Sequence, residues 1–169
     1  MTGPDILEQP AVITAVHDLY ELHYLRLVRF AVLLVGDAGR AEEIVQDAFV
    51  DLVVRWRTIR DPGVAHFYLR TCVANGARSH LRHRAVVHRQ PASRPSQVNS
   101  AETEALVHIE HERVLSMVSK LSDRQREVLV LRYYGQLSEA EIADRMGISR
   151  GAVKTHSSRA LRSLRAVMS

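Results

Sequence analysis

Cysteine is almost absent from this chain: Cys72 stands alone among 169 residues. A single thiol excludes an internal disulfide and fits a reducing compartment, so a cytoplasmic protein is expected. Glycine (8) and proline (5) are sparse, and aromatics make up only 5%. Hairpin-rich folds need more turn residues than this, which favours helices. The longest apolar run, Phe30 to Val35, is far too short to cross a bilayer, and MTGPDILEQP lacks the basic-then-apolar order of a secretory signal. No membrane insertion is therefore expected. Chemistry is missing as well. There is no Gly-rich phosphate loop and no catalytic constellation. The histidine pairs His80/His83 and His108/His111, at i, i+3, resemble metal-ligand spacing, but structural or surface roles are expected of them. Neither a metal, a cofactor nor an enzymatic activity is expected.

Acid is also missing, but only locally. No Asp or Glu falls between Asp61 and Glu102, where Arg70, Arg78, Arg82, Arg84, Arg89 and Arg94 lie. None follows Asp144, after which come Arg150, Lys154, Arg159, Arg162 and Arg165. The net charge is only +4, so these tracts are concentrated against a nearly balanced background. Two acid-free basic tracts point to two contacts with a polyanion.

Apolar residues make up 46% and charged residues 25%, an ordinary globular composition. Their spacing is helical throughout. A first helix is expected from about Ala11 to Leu34, with Val12, Val16, Leu19, Leu22, Leu27, Phe30, Leu33 and Leu34 on its apolar side. Gly36 and Gly39 flank Asp37, a turn and N-cap. The segment Ala38 to Arg57 then carries Ile44, Val45, Ala48, Phe49, Leu52, Val53 and Trp56 on one stripe, opposite Glu42, Glu43, Gln46, Asp47 and Asp51. Asp61-Pro62-Gly63 reads as a turn, and a third helix runs from about Val64 to Arg89. Cys72 falls on its apolar arc as a small buried hydrophobe.

The stretch QPASRPSQVNSAET, residues 90–103, reads as a flexible linker between two domains, 1–89 and 104–169. Beyond it, Glu104 to Val118 is expected to be helical. Two capping-box patterns follow, Ser122 with Gln125 and Ser138 with Glu141, each opening a helix. Gly147 reads as a left-handed helix end, and Ser149 caps a last helix held inward by Val153, Leu161 and Leu164. A short helix, a glycine turn and a basic helix form a helix-turn-helix pattern, whose second helix enters the DNA major groove. Helical spacing places Arg150, Lys154, Thr155, Ser158 and Arg159 outward. An amphipathic hairpin that packs on another protein has the same periodicity.

The segment LSDRQREVLVLRYYGQLSEAEIADRMGISRGAVKTHSSRALRSLR resembles region 4 of the sigma-70 family, in its extracytoplasmic-function (ECF) group. It is also similar to the DNA-binding domain of LuxR-type regulators, which share the VKTH run of Val153 to His156. The N-terminal half separates the two. AEEIVQDAFVDLVVRW resembles sigma region 2.2, and HFYLRTCVANGARSHLRHR resembles regions 2.3 and 2.4. A LuxR-type regulator with a receiver would show alternating strands and helices, a pattern this chain lacks.

The resemblance implies an all-α chain of two small helical domains that directs core RNA polymerase to promoters. Glu42, Glu43, Gln46 and Asp47 match the polymerase-docking motif. Arg70, Asn75, Arg78 and Arg82, set on one arc of the third helix, would meet and melt the promoter −10 element. Asn75 matches the polar position near a flipped base. Arg132, Ser149, Arg150, Lys154, Thr155, His156, Ser158 and Arg159 would read the −35 element; His156 stands where many relatives carry arginine. An anti-sigma protein is a further implied partner. The rival readings are a stand-alone LuxR-like regulator that binds duplex without polymerase, and a helical adaptor whose basic tracts serve protein contacts.

Overall fold

A computed structural model describes residues 10–59, 61–87 and 114–168, and these residues form helices and turns with no strand. The chain divides into two compact units between residues 97 and 98. The expected linker at 90–103, the helix start at 104–113 and the pair His108/His111 lie outside the described residues.

In the first unit, α1 (Pro10–Val35), α2 (Ala38–Ile59) and α3 (Pro62–Val87) each pack on the other two. The second half of α1 is the centre of this core: Leu27, Val28 and every residue from Phe30 to Val35 are buried. Its first half packs mainly through Val12 and Leu19. Leu22, expected on the apolar side, is 69% exposed, because its side of the helix is covered by neither α2 nor α3. In α2 the stripe Ile44, Val45, Ala48, Phe49, Leu52 and Trp56 is buried as its spacing requires, with Val53 half-buried at its edge. Burying one such side chain fully, as for Leu52, contributes about 1.5–3 kcal/mol.

The joints explain the boundaries. Gly36 adopts φ 74°, and the Asp37 carboxylate accepts from the Arg40 amide at 2.7 Å, the expected cap of α2. The third helix starts two residues earlier than its apolar spacing suggests. Asp61 is its cap, accepting from the Gly63 amide through its side chain (2.9 Å) and from the Ala65 amide through its carbonyl (2.8 Å). Pro62 is the first helical residue, a position where its missing N–H costs nothing. At Gly76 a Cβ would stand 2.9 Å from Ile44 Cγ2, so glycine lets α3 lie close on α2. Cys72 is half-buried, not a core residue, because it lies at the margin of the arc formed by Ala65, Leu69, Val73 and Ala77.

In the second unit, α4 (residues 114–119) leads to α5 (Asp123–Tyr133), α6 (Glu139–Met146) and α7 (Arg150–Met168). Leu121, Leu129 and Ala160 form a cluster with Leu161 and Leu164 packed against it. The two capping patterns part company here. At Ser138 the box is complete: the hydroxyl accepts from the Glu141 amide, and the Glu141 carboxylate accepts from the Ser138 amide at 2.8 Å. At Ser122 no side-chain cap forms. Arg126 ties that helix start instead, donating to the Leu121 carbonyl at 3.3 Å and to Asp123 Oδ1 at 3.2 Å. Between α5 and α6 a Cβ on Gly135 would lie 2.3 Å from the Leu131 carbonyl oxygen, so only glycine fits. Gly147 closes α6 at φ 64°, and the Ile148 amide reaches back to the Ala143 carbonyl at 3.0 Å.

Candidate nucleic-acid interface

Because α6 ends abruptly at Gly147, α7 leaves at an angle and lies across α5 and α6, packing on both. Its inward side is Val153, Ser157 and Ala160, all buried. Arg150, Lys154, Thr155, Ser158 and Arg159 are exposed, as their spacing predicts. Arg162 and Arg165 continue that exposed face further along the helix, an extension the motif-based selection left out. His156 differs. It sits on the flank of α7, half-buried, away from the exposed arc. Two hydroxyls are already engaged by the backbone: Ser149 Oγ accepts from the Ala152 amide at 3.1 Å, and Thr155 donates to the Gly151 carbonyl at 3.0 Å. Ser149 thus caps the helix, as its sequence position suggests.

Arg132 comes from α5, yet it reaches the same groove. Its Nη1 donates to Glu139 Oε1 at 3.1 Å, while Lys154 Nζ lies 3.9 Å from Glu139 Oε2. These three residues, with Tyr133, Ser158 and Arg162, help line a groove of about 410 Å³. Glu139 was not singled out from sequence. An acid in the first turn of a helix reads as a favourable partner of the helix dipole, and its ion pairs span three separate elements. Glu141 is held below the ordinary glutamate range by the hydrogen bonds from Ser138.

On α3 the structure separates the four selected residues. Asn75, Arg78 and Arg82 share one face, Asn75 and Arg82 exposed and Arg78 half-buried. Phe67 lies on that same face at 65% exposure, and Val64 at 51%. An exposed phenylalanine in line with an asparagine and two arginines offers an unstacked base a platform, an amide edge and phosphate grips. Phe67 could have been found from its spacing of eight residues from Asn75. Arg70 stands at the margin of this face, with its guanidinium over the Phe67 ring. It is half-buried beside Ala74 and Ala77, which extend the packed arc of α3, and its guanidinium carbon stands 6.0 Å from the Phe67 ring centre.

Arg70 belongs to a cationic cluster between α1 and α3. The imidazoles of His23 and His66 stack with ring centres 4.1 Å apart and planes 24° apart. The Nδ1 atom of each is buried without a hydrogen-bond partner. Burial, then His23, Arg70 and Arg26, push His66 down to about 4. His23 is lowered by burial, Arg26 and Arg70, and Arg70 itself by burial and Arg26. At neutral pH the two imidazoles of this cluster are uncharged, with the Arg26 and Arg70 charges nearby. His80 is likewise lowered, chiefly by burial and then by Arg40 and Arg84, and no group of three metal-ligating side chains occurs among the described residues.

The polar side of α2 is more apolar than its motif suggests. Glu43, Gln46 and Asp47 are exposed and Glu42 is half-buried. Glu43 pairs with Arg40 at 2.5 Å. Tyr24 of α1 hydrogen-bonds Gln46, lies close to Glu42 and stacks on Tyr20 at 4.4 Å; burial, Tyr20 and Glu42 raise its phenol to about 12. Among these polar groups stand Val50 (62% exposed) and Val54 (67% exposed), four and eight residues after Gln46. Two exposed valines thus stand among carboxylates and an amide on this side of α2.

Residues 19–86 match the family described as Sigma-70 region 2, and residues 111–164 match Sigma-70, region 4. An RNA polymerase sigma-E factor of Streptomyces coelicolor is 33% identical over 139 residues, covering 82% of this chain and 77% of the relative. The ECF RNA polymerase sigma factor SigL of Mycobacterium tuberculosis is 32% identical over 157 residues, 87% of this chain and 85% of that protein. The fold is similar to that of the sigma factor RpoE of Bartonella quintana, solved in complex with the anti-sigma factor NepR. That match has a TM-score of 0.60 and 23% identity, and covers 89% of this chain and 96% of RpoE. Among the described residues no helix is long and apolar enough to cross a membrane. With a region 2 helical unit followed by a region 4 helix-turn-helix, and relatives at this identity over most of their length, the chain belongs to the sigma-70 family of RNA polymerase sigma factors, in its ECF group.

Proposed function

We propose that this chain binds core RNA polymerase in the cytoplasm and selects promoters through both elements, performing no chemistry of its own. Residues 1–89 act as the polymerase-binding and −10 unit, 90–103 as the linker, and 104–169 as the −35 unit. In the first unit Glu42, Glu43, Gln46 and Asp47 dock on basic residues of the polymerase, with Val50 and Val54 supplying the apolar contact. Asn75, Arg78 and Arg82 hold the unstacked −10 strand, and Phe67 stacks on it. Arg70 supports them from the α1 side. In the second unit Arg132, Arg150, Lys154, Thr155, Ser158 and Arg159 meet the −35 duplex, while Ser149 caps the helix and His156 steadies its flank.

The observation that carries this reading is the pairing, within one three-helix packing unit, of the valine-bearing polar ridge on α2 with the Phe67–Arg82 face of α3. A stand-alone duplex-binding regulator has no use for either surface. An anti-sigma protein is a further proposed partner, supported by the NepR complex of the Bartonella relative. Run-off transcription with purified core polymerase tests the reading. Start sites that fire only when the chain is added are expected. Tight duplex binding with no effect on polymerase would overturn it in favour of the regulator.

A further inference from the structure

Glu139 places one carboxylate between two of the cations that the reading above assigns to the −35 duplex. We propose that it is a built-in counter-ion that competes with DNA for Arg132 and Lys154, so that tight binding requires a site offering both cations better acceptors than Glu139 does. This deepens the helix-turn-helix reading and rests on it.

Each carboxylate oxygen serves one cation: Oε1 accepts from Arg132 at 3.1 Å, and Oε2 lies 3.9 Å from the Lys154 ammonium. The side chains are 30%, 38% and 69% exposed for Glu139, Arg132 and Lys154. Partly exposed ion pairs like these add little to folding. A negative charge set among groove cations does affect binding, because it repels phosphate and occupies the donors that phosphate would take. A phosphate met at random merely exchanges one anion for another, so the net gain is small. A base edge that presents two acceptors to Arg132, with a phosphate placed for Lys154, repays the exchange. Glu139 therefore lowers affinity for random duplex more than affinity for the correct one. The remaining cations of α7, Arg150, Arg159, Arg162 and Arg165, lie beyond the last acid in the sequence and supply the attraction that Glu139 tempers.

Glu139→Gln tests this, since it removes the charge and keeps the size and an acceptor for Arg132. Fluorescence anisotropy of the full-length chain on a random-sequence duplex, across a salt series, is the readout. E139Q is expected to bind random duplex roughly 3- to 10-fold more tightly at low salt, with a log–log salt slope steeper by up to about 0.9, the value of one additional phosphate. Duplexes selected by E139Q from a randomised pool should show flatter base preferences than those selected by the parent. Glu139→Asp keeps the charge and should keep the parental slope. Parental affinity and slope in E139Q, a loss of affinity, or an E139D that behaves as E139Q would each overturn the proposal. So would failure of both parent and E139Q to bind duplex at low salt. Circular dichroism verifies that the variants fold. Arg150→Ala reports separately on the underlying reading, because this cation lies outside the Glu139 ion pairs. If R150A binds duplex as the parent does, α7 does not face DNA and the helix-turn-helix reading fails, whatever E139Q does.

Discussion

The two basic faces look alike in sequence and differ in how their charge is managed. On α7 and α5 two of the cations are held by the Glu139 carboxylate. Between α1 and α3 the cations Arg26 and Arg70 lie near the imidazoles of His23 and His66, whose ionisation burial suppresses first and the two arginines suppress further. On the proposed reading, the first arrangement tempers the general attraction to phosphate at a rigid duplex that must be read. On the proposed reading, the second stands beside the exposed Phe67–Arg82 face, in a stretch of sequence without acid, and serves a flexible strand that must be gripped once opened. On that reading, recognition and melting place different demands on the same residue types.

Removing paired arginines from each face should produce the largest separation. Arg78→Ala with Arg82→Ala is expected to cut promoter opening at least about 10-fold while duplex binding by the chain stays near parental. Its salt slope for single-stranded DNA should fall by about 0.7 per lost phosphate contact. Arg150→Ala with Arg159→Ala should do the reverse, weakening duplex binding first, with a slope change of about 0.9 per contact. Permanganate reactivity of opened thymines reads the first effect and anisotropy the second. Equal losses of both in both variants would erase the distinction.

The glycines contrast the units structurally. Gly135→Ala drives a Cβ onto the Leu131 carbonyl oxygen, a backbone atom that cannot rotate away, and should cost the second unit about 3 kcal/mol. Gly76→Ala meets the Ile44 side chain, with Cγ2 nearest at 2.9 Å. The gain of about 1 kcal/mol from replacing a mid-helix glycine offsets part of that overpacking, leaving a net loss of about 1 kcal/mol. Trp56, the single tryptophan, is buried in α2, so its fluorescence reports the first unit while helical circular dichroism reports both. G135A should lower the unfolding transition of the second unit and leave the one that Trp56 reports unchanged.

Acid should also part the units. His66 in the folded state titrates near 4, below its ordinary 6.5, and His23 is lowered too. A depressed histidine contributes stability that is complete above pH 6.5 and is lost as pH falls through 4, because protonation would set two imidazoliums against each other and against Arg26 and Arg70. After discounting for solvent screening the loss is on the order of 1 kcal/mol. Glu141 is lowered from 4.5, so its contribution in the second unit fades only below about that value. Between pH 6.5 and 4.5 the Trp56 transition should therefore fall while the second unit holds. His66→Phe, which keeps a ring and cannot ionise, should remove most of that slope.

The all-helical fold was legible because α2 and α7 carry long, uninterrupted 3.6-residue patterns, and because Gly36, Gly135 and Gly147 stand where the chain must turn. What escaped was relational. A helical wheel places Arg70 near Arg78, yet Ala74 and Ala77 are packed, and small residues give too weak an apolar signal to reveal how wide the buried arc is. Val50 and Val54 were invisible for the opposite reason, since a valine on a helix reads as core until its neighbours are known. Glu139 escaped because its partners come from α5 and α7. Pairings across three elements leave no trace in local spacing.

The smallest contrast isolates what a motif alone can promise. Ser122 and Ser138 share one sequence pattern, a serine with Gln or Glu three residues on, and both begin helices with extended backbone (ψ 153° and 160°). Only Ser138 closes the box, where the negatively charged Glu141 can accept from both the serine amide and its hydroxyl, at 2.8 and 2.6 Å. At Ser122 the cap hydrogen bond is absent, and Arg126 satisfies the neighbouring Leu121 carbonyl from the next turn. Ser138→Ala should therefore cost about 1 kcal/mol, and Ser122→Ala no more than a few tenths. Denaturant unfolding of the second unit decides between them. Equal losses would mean that local pattern sets cap strength. The expected inequality would mean that the partner at the third position, and what competes with it, decides whether a serine caps at all.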